Sequence, residues 1–170
     1  MTDDVDRFVR QWIEQRPELD PSPIALFGRV HRIYLRYQAV VTKEFEKYDL
    51  NPASFDVLAA LRRAGKPYRM SGTELAAESL LSSAGITFRL DRLEKSGLIE
   101  RIRDTDDRRV VYSQLTQKGL GVIDRAIVTH LEREHALLEG LSERDVTALT
   151  GLLRKLEDAI IASEAAVRTS

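Results

Sequence analysis

The chain has 170 residues, long enough for one compact domain with a core of its own. It is 43% hydrophobic and 31% charged, and its formal charge of -1 gives no bulk attraction to nucleic acid, so any DNA binding must rest on a local patch. It has no cysteine, which excludes disulfides, thiolate nucleophiles and zinc–thiolate sites. No apolar run reaches the length of a bilayer span, and the acidic start MTDDVDRF lacks the basic and apolar regions of a secretory signal. No membrane partner and a cytoplasmic location are therefore expected.

Residues 3–15 place Val5, Phe8, Val9, Trp12 and Ile13 at helical spacing and predict a short amphipathic helix. The segment RPELDPSP holds three of the five prolines and reads as a loop. Residues 24–48 predict a long helix with a wide apolar stripe. Asn51-Pro52 marks a helix start, with Asn as N-cap and Pro at the first helical position, and Gly65 marks the end. Ser71-Gly72-Thr73-Glu74 forms a capping box for a short helix. Ser82 or Ser83 caps the next, which Gly97 closes.

The period then changes. Residues 98–103 and 110–115 are strand-like on either side of a polar turn, which predicts a hairpin. Thr116 caps a long helix that Gly140 breaks, and Ser142 starts a last helix with Leu149, Leu152, Leu153, Leu156 and Ile160 as its stripe.

Three helices followed by a hairpin give the order of a winged helix-turn-helix, here over residues 51–116. The third helix is the candidate reader. Ile86, Leu90 and Leu93 share the core face, and Phe88, Asp91 and Arg92 point away. Ser82 and Ser83 at its start let backbone amides approach phosphates, while Thr87, Arg89 and Arg92 supply longer donors. At the hairpin tip Arg108 and Arg109 suit a minor groove, and Asp107 is placed to orient Arg109 through a fork-like ion pair. Residues 82–109 hold seven basic and six acidic side chains, so charge alone does not make the interface. Arg62, Arg63, Lys66 and Arg69 form a more basic stretch with no acid near in sequence, suited to a flanking phosphate.

In this order the residues resemble the MarR family of transcription regulators over residues 19–160. The wing signature of that family, D-x-R-x-x-x-L-x-L-T, reads here Asp107-Arg108-Arg109-Val110-Val111-Tyr112-Ser113-Gln114-Leu115-Thr116, with Ser113 in place of a leucine. The segment LLSSAGITFRLDRLEKSGLIER is similar to its reading helix and first wing strand. Phe88 falls where the family frequently carries a polar residue. Contact with a thymine methyl and an unusual operator are both open readings of that departure.

The resemblance implies a mainly α fold with a small β wing, and a homodimer that sets two reading helices in successive major grooves of a pseudo-palindromic operator. Residues 1–48 and 117–170 would carry the dimerisation helices and residues 49–116 the DNA-binding lobe. Repression relieved by a ligand is the usual mode of the family, and no cofactor is implied.

A narrower resemblance adds the effector. The extra N-terminal helix with Trp12, followed by RPELDPSP, is similar to the urate-responsive PecS and HucR type. That branch implies a urate site formed by Trp12, Asp56, Arg89 and Arg101. An indole can wall a flat anion and two guanidinium groups can fix its charge. An aromatic or phenolic acid is the competing effector class.

Other functions fit less well. His31, His130 and His135 are not at metal-binding spacing and read as isolated surface residues, no glycine-rich phosphate loop occurs, and an enzyme is not expected. A winged helix used only for protein contacts is the remaining rival, and the paired arginines of the wing argue against it.

Overall fold

The first helix, α1 (Asp4–Gln15), starts on a capping box: Asp3 accepts from the Asp6 amide at 3.0 Å and Asp6 accepts from the Asp3 amide at 3.1 Å. It packs on α2 (Ser22–Glu46) through Val5, which is buried and meets the face of Gly28, where an added Cβ would lie 3.0 Å from Val5 Cγ1. Arg29 of α2 donates to Asp6 at 2.7 Å and to Asp3 at 3.2 Å. The first turn of α1 is thus held by one apolar and several charged contacts, while Phe8, Trp12 and Ile13 further along remain exposed.

The computed structural model describes residues 3–78, 86–105, 107 and 109–168. After α2 follow α3 (Pro52–Arg63), β1 (Arg69–Ser71), α4 (Gly72–Glu78), α5 (Ile86–Lys95), β2 (Ile99–Arg103), β3 (Val111–Leu115), α6 (Gln117–Leu137) and α7 (Glu143–Arg168). Asn51 caps α3 by accepting from the Ser54 amide at 2.8 Å, with Pro52 behind it. Gly65 and Gly97, with φ of 75° and 69°, turn the chain after α3 and α5 in the left-handed conformation that glycine adopts without strain.

The wing is larger than a hairpin. Among the described residues the sheet has three antiparallel strands in the order β1-β3-β2. Arg101 stands opposite Ser113 in the β2–β3 register, and Met70 stands opposite Ser113 on the other side. The strand β1 has three residues, too few for a period-2 pattern to show in sequence. Ser113, at the position where the family signature has leucine, is buried.

The core lies between α3, α4, α5 and the sheet, with the end of α2 and the start of α6 closing it. Leu58, Leu61, Leu75, Leu93, Ile99 and Ile123 are all under 3% exposed, and the rings of Phe45 and Phe55 stack 4.1 Å apart. Burial of each such side chain contributes about 1.5–3 kcal/mol. The start of α6 is seated on the α5–β2 turn. Thr116 Oγ1 accepts from the Gly119 amide at 3.0 Å and donates to the Gly97 carbonyl at 2.7 Å. A Cβ at Gly119 would fall 1.9 Å from the Leu98 carbonyl oxygen, so this junction admits no side chain.

The chain divides into two compact units, Met1–Ile127 and Val128–Ser170, with α6 running through the division. In the second unit α7 opens on a capping box of Ser142 and Asp145. None of its described residues is buried within the single chain. Among the described residues no helix is long and apolar enough to cross a membrane.

Candidate nucleic-acid interface

The helix α5 is amphipathic in the sense its sequence predicts. Leu90 and Leu93 are buried and Ile86 packs against the core cluster. Thr87, Phe88 and Arg92 are exposed, and Arg89 and Asp91 are intermediate. Phe88 is 74% exposed, although an aromatic side chain normally seeks cover. Ser82, Ser83 and Arg108, expected to contact DNA, lie outside the described residues.

A side chain of the wing reaches across to the helix. Arg101 of β2 donates to Asp91 at 2.5 Å and lies 3.5 Å from Glu94, so a single guanidinium joins two carboxylates spaced one turn apart on α5. The sequence places Asp91 on the outward face of the helix but gives neither acid a partner. Their i, i+3 spacing on the candidate reading helix was the available signal, but spacing does not show what stands opposite. The pairs are partly exposed, and such pairs orient more than they stabilise.

At the wing tip the fork expected between Asp107 and Arg109 is present. Asp107 accepts from Arg109 Nε at 3.0 Å, from Arg109 Nη2 at 3.1 Å and from the Arg109 amide at 3.0 Å. The Asp107 amide in turn donates to Asp104 at 2.8 Å. The Arg109 side chain is 90% exposed, so the fork orients the guanidinium while leaving it open to solvent. These bonds, the one from the Arg109 side chain above all, hold the Asp107 carboxyl below its ordinary value.

The basic stretch at the end of α3 and beyond, read as free of nearby acid, is paired in the fold. Arg62 donates to Asp124 of α6 at 2.7 Å, an acid brought from 62 residues along the chain and invisible to local charge counting. Arg62 also covers the Tyr68 ring, Arg63 donates to the Glu78 carbonyl, and Arg69 stacks on Tyr112 at 4.7 Å. These arginines brace the lobe, and Lys66 is an exposed cation beside them. His130 is likewise not a surface residue: its side chain is 12% exposed and its Nε2 stands 3.3 Å from Glu134, one turn along α6.

The four residues expected at an effector site all fall in the first unit. Asp56 on α3 is partly buried, with one carboxylate oxygen shielded from solvent. Arg89 and Arg101 lie on α5 and β2, and α3, α5 and β2 pack in sequence: α3 against α5, α5 against β2. Trp12 lies on α1, which packs on α2. It is 47% exposed and lines a hollow of about 300 Å³ with Leu19, Asp20, Pro21, Pro23 and Ile24.

Known proteins share the fold. The MarR family model matches residues 48–110. The HTH-type transcriptional regulator PecS of Dickeya dadantii is 37% identical over 93% of this chain and 95% of its own length. Among solved structures, BpsR of Bordetella bronchiseptica, whose DNA binding is regulated by 6-hydroxynicotinic acid, is 25% identical with a TM-score of 0.68, covering 78% of this chain and 98% of its own. A mutant MarR from E. coli in complex with operator DNA has the same fold, with a TM-score of 0.69 at 23% identity over 85% of this chain and 96% of its own. With its three-helix lobe, sheet and exposed wing-tip arginine, the chain belongs to the MarR family of DNA-binding transcription regulators.

Proposed function

We propose that the protein is a homodimeric repressor released from a pseudo-palindromic operator by urate or a related purine anion. Residues 1–48 and 117–170 supply the dimerisation helices and residues 49–116 the DNA-binding lobe. Ser82, Ser83, Thr87, Phe88, Arg89 and Arg92 contact the major groove and its phosphates. Arg109, aimed by Asp107 and accompanied by Arg108, contacts the flanking minor groove. Trp12, Asp56, Arg89 and Arg101 hold the effector.

The observation that carries this reading is the Arg101 bridge to Asp91 and Glu94. The same guanidinium is the expected anion ligand and the present tie between wing and reading helix. An anion drawn to Arg101 competes with the two carboxylates for it and frees α5 to shift. DNA affinity then falls because the two arrangements bind the effector unequally, which is what coupling requires. The effector class is supported by the likeness to PecS over nearly the whole chain and by the exposed Trp12 at the start of the fold.

An aromatic acid is the second reading, supported by the likeness to BpsR and its 6-hydroxynicotinic acid. Titration of each compound into the protein–operator complex, followed by gel shift at several salt concentrations, separates them. Urate should release the DNA at concentrations where 6-hydroxynicotinic acid does not. Release by the acid alone would transfer the assignment to it, and the absence of any salt-sensitive shift on promoter DNA would favour a protein-interaction module.

A further inference from the structure

We propose that Phe88 is a specificity-determining residue that covers the C5 methyl of a thymine at one position in each half-site. The proposal rests on the reading of α5 as the element that enters the major groove, and it names what that helix reads.

Phe88 is 74% exposed, and among the described residues of its unit the next most exposed large apolar side chain, Ile33, is 64% exposed. It stands on α5 about 200° around the axis from the buried Leu90, in the first described turn of the helix. Arg92, one turn further along, falls about 40° from it and is also exposed, so ring and guanidinium form one stripe directed away from the core. Burial of Leu90 and Leu93 sets the rotation of the helix about its axis, and Asp91, beside that stripe, is held by Arg101.

A phenyl ring neither donates nor accepts hydrogen bonds of the kind base edges offer. Laid over guanine, cytosine or adenine in the major groove, it covers donors and acceptors and gives nothing in return. The one apolar group that base edges present there is the thymine methyl. The ring therefore favours thymine both by the contact it makes and by the partners it denies the other bases, while Arg92 on the same stripe supplies donors to the adjacent base or phosphate.

The test begins with selection of binding sites from a random duplex pool by wild-type protein, followed by replacement of each thymine in the selected site by deoxyuridine, which removes only the methyl. One position per half-site should lose about fourfold to tenfold in affinity, the scale of one methyl withdrawn from an apolar contact. Phe88→Ala should bind thymine and deoxyuridine duplexes equally within about twofold, and Phe88→Leu should keep part of the difference, its side chain being apolar but smaller. A site with no deoxyuridine-sensitive thymine, or equal sensitivity in Phe88→Ala and wild type, overturns the proposal and leaves the DNA-binding role of α5 standing. A change in the solution mass of Phe88→Ala overturns it in favour of a chain–chain contact. Failure of wild-type protein to enrich any site would be a different result, against α5 as a reader at all.

Discussion

Leu58 and Leu61 on α3 are fully buried, whereas Leu152 and Leu153 on α7 are 62% and 47% exposed. Both pairs belong to apolar stripes of helical period, and the sequence does not tell them apart. The first pair closes a core made by its own unit. The second belongs to a helix with no fully buried residue among those described, and Leu149, Ile160 and Ile161 share its exposure. An apolar surface of that extent on a globular chain marks a partner surface. A DNA-binding lobe complete in itself is thus joined to a helix whose apolar stripe lies open in the single chain, the surface that the proposed homodimer would cover.

The largest effect should follow from breaking the closed side of this comparison. Leu58→Ala should lower the stability of the lobe by about 2–5 kcal/mol, read by chemical denaturation, because the surrounding helices and sheet cannot collapse into the space. On the open side, Leu152→Asp combined with Leu153→Asp should leave the lobe folded, give a monomer in light scattering where the wild type gives the proposed dimer, and weaken operator binding about a hundredfold through loss of linkage between half-sites. Arg109→Ala should weaken binding to every sequence about tenfold and reduce the salt slope by roughly one counterion, measured by anisotropy at several salt concentrations. Trp12→Ala and Asp56→Ala should change operator affinity less than about threefold while reducing the urate response, seen in the same titration. If these variants weakened operator binding as Arg109→Ala does, the effector role of Trp12 and Asp56 would be wrong.

The smallest expected effect is with pH. The Asp107 and Asp6 carboxyls are held below the ordinary 3.8 by Arg109 and Arg29 respectively. A carboxyl depressed in the folded state contributes fully above its unfolded value, and its contribution is lost as pH falls through the folded one. The wing-tip fork and the α1 clasp should thus be constant from about pH 8 to pH 5 and loosen only below about pH 3.8. Chemical-shift titration of the two carboxylates checks this, and a midpoint above 4 would refute it.

Much of the lobe was legible in the sequence because its signals are local. Asn51-Pro52, the Ser71–Glu74 box, Gly65, Gly97 and Thr116 each act on the few residues around them, and the Asp107–Arg109 fork spans two positions. What stayed hidden depends on distant pairing. The strand β1 exists because β3 lies beside it, Arg62 meets an acid from α6, and Asp91 and Glu94 acquire a role only when β2 brings Arg101 against them. Gly119 is a similar case, since only the approach of the Leu98 carbonyl shows why no side chain fits there.

The mass of the free protein and of its operator complex, measured by light scattering, tests most directly whether the open stripe exists to pair two closed lobes. The free protein should measure twice 19.3 kDa, with two chains on each operator duplex, and both states should be lost together in the Leu152→Asp, Leu153→Asp variant. A free chain of 19.3 kDa that binds the same duplex with undiminished affinity would contradict it.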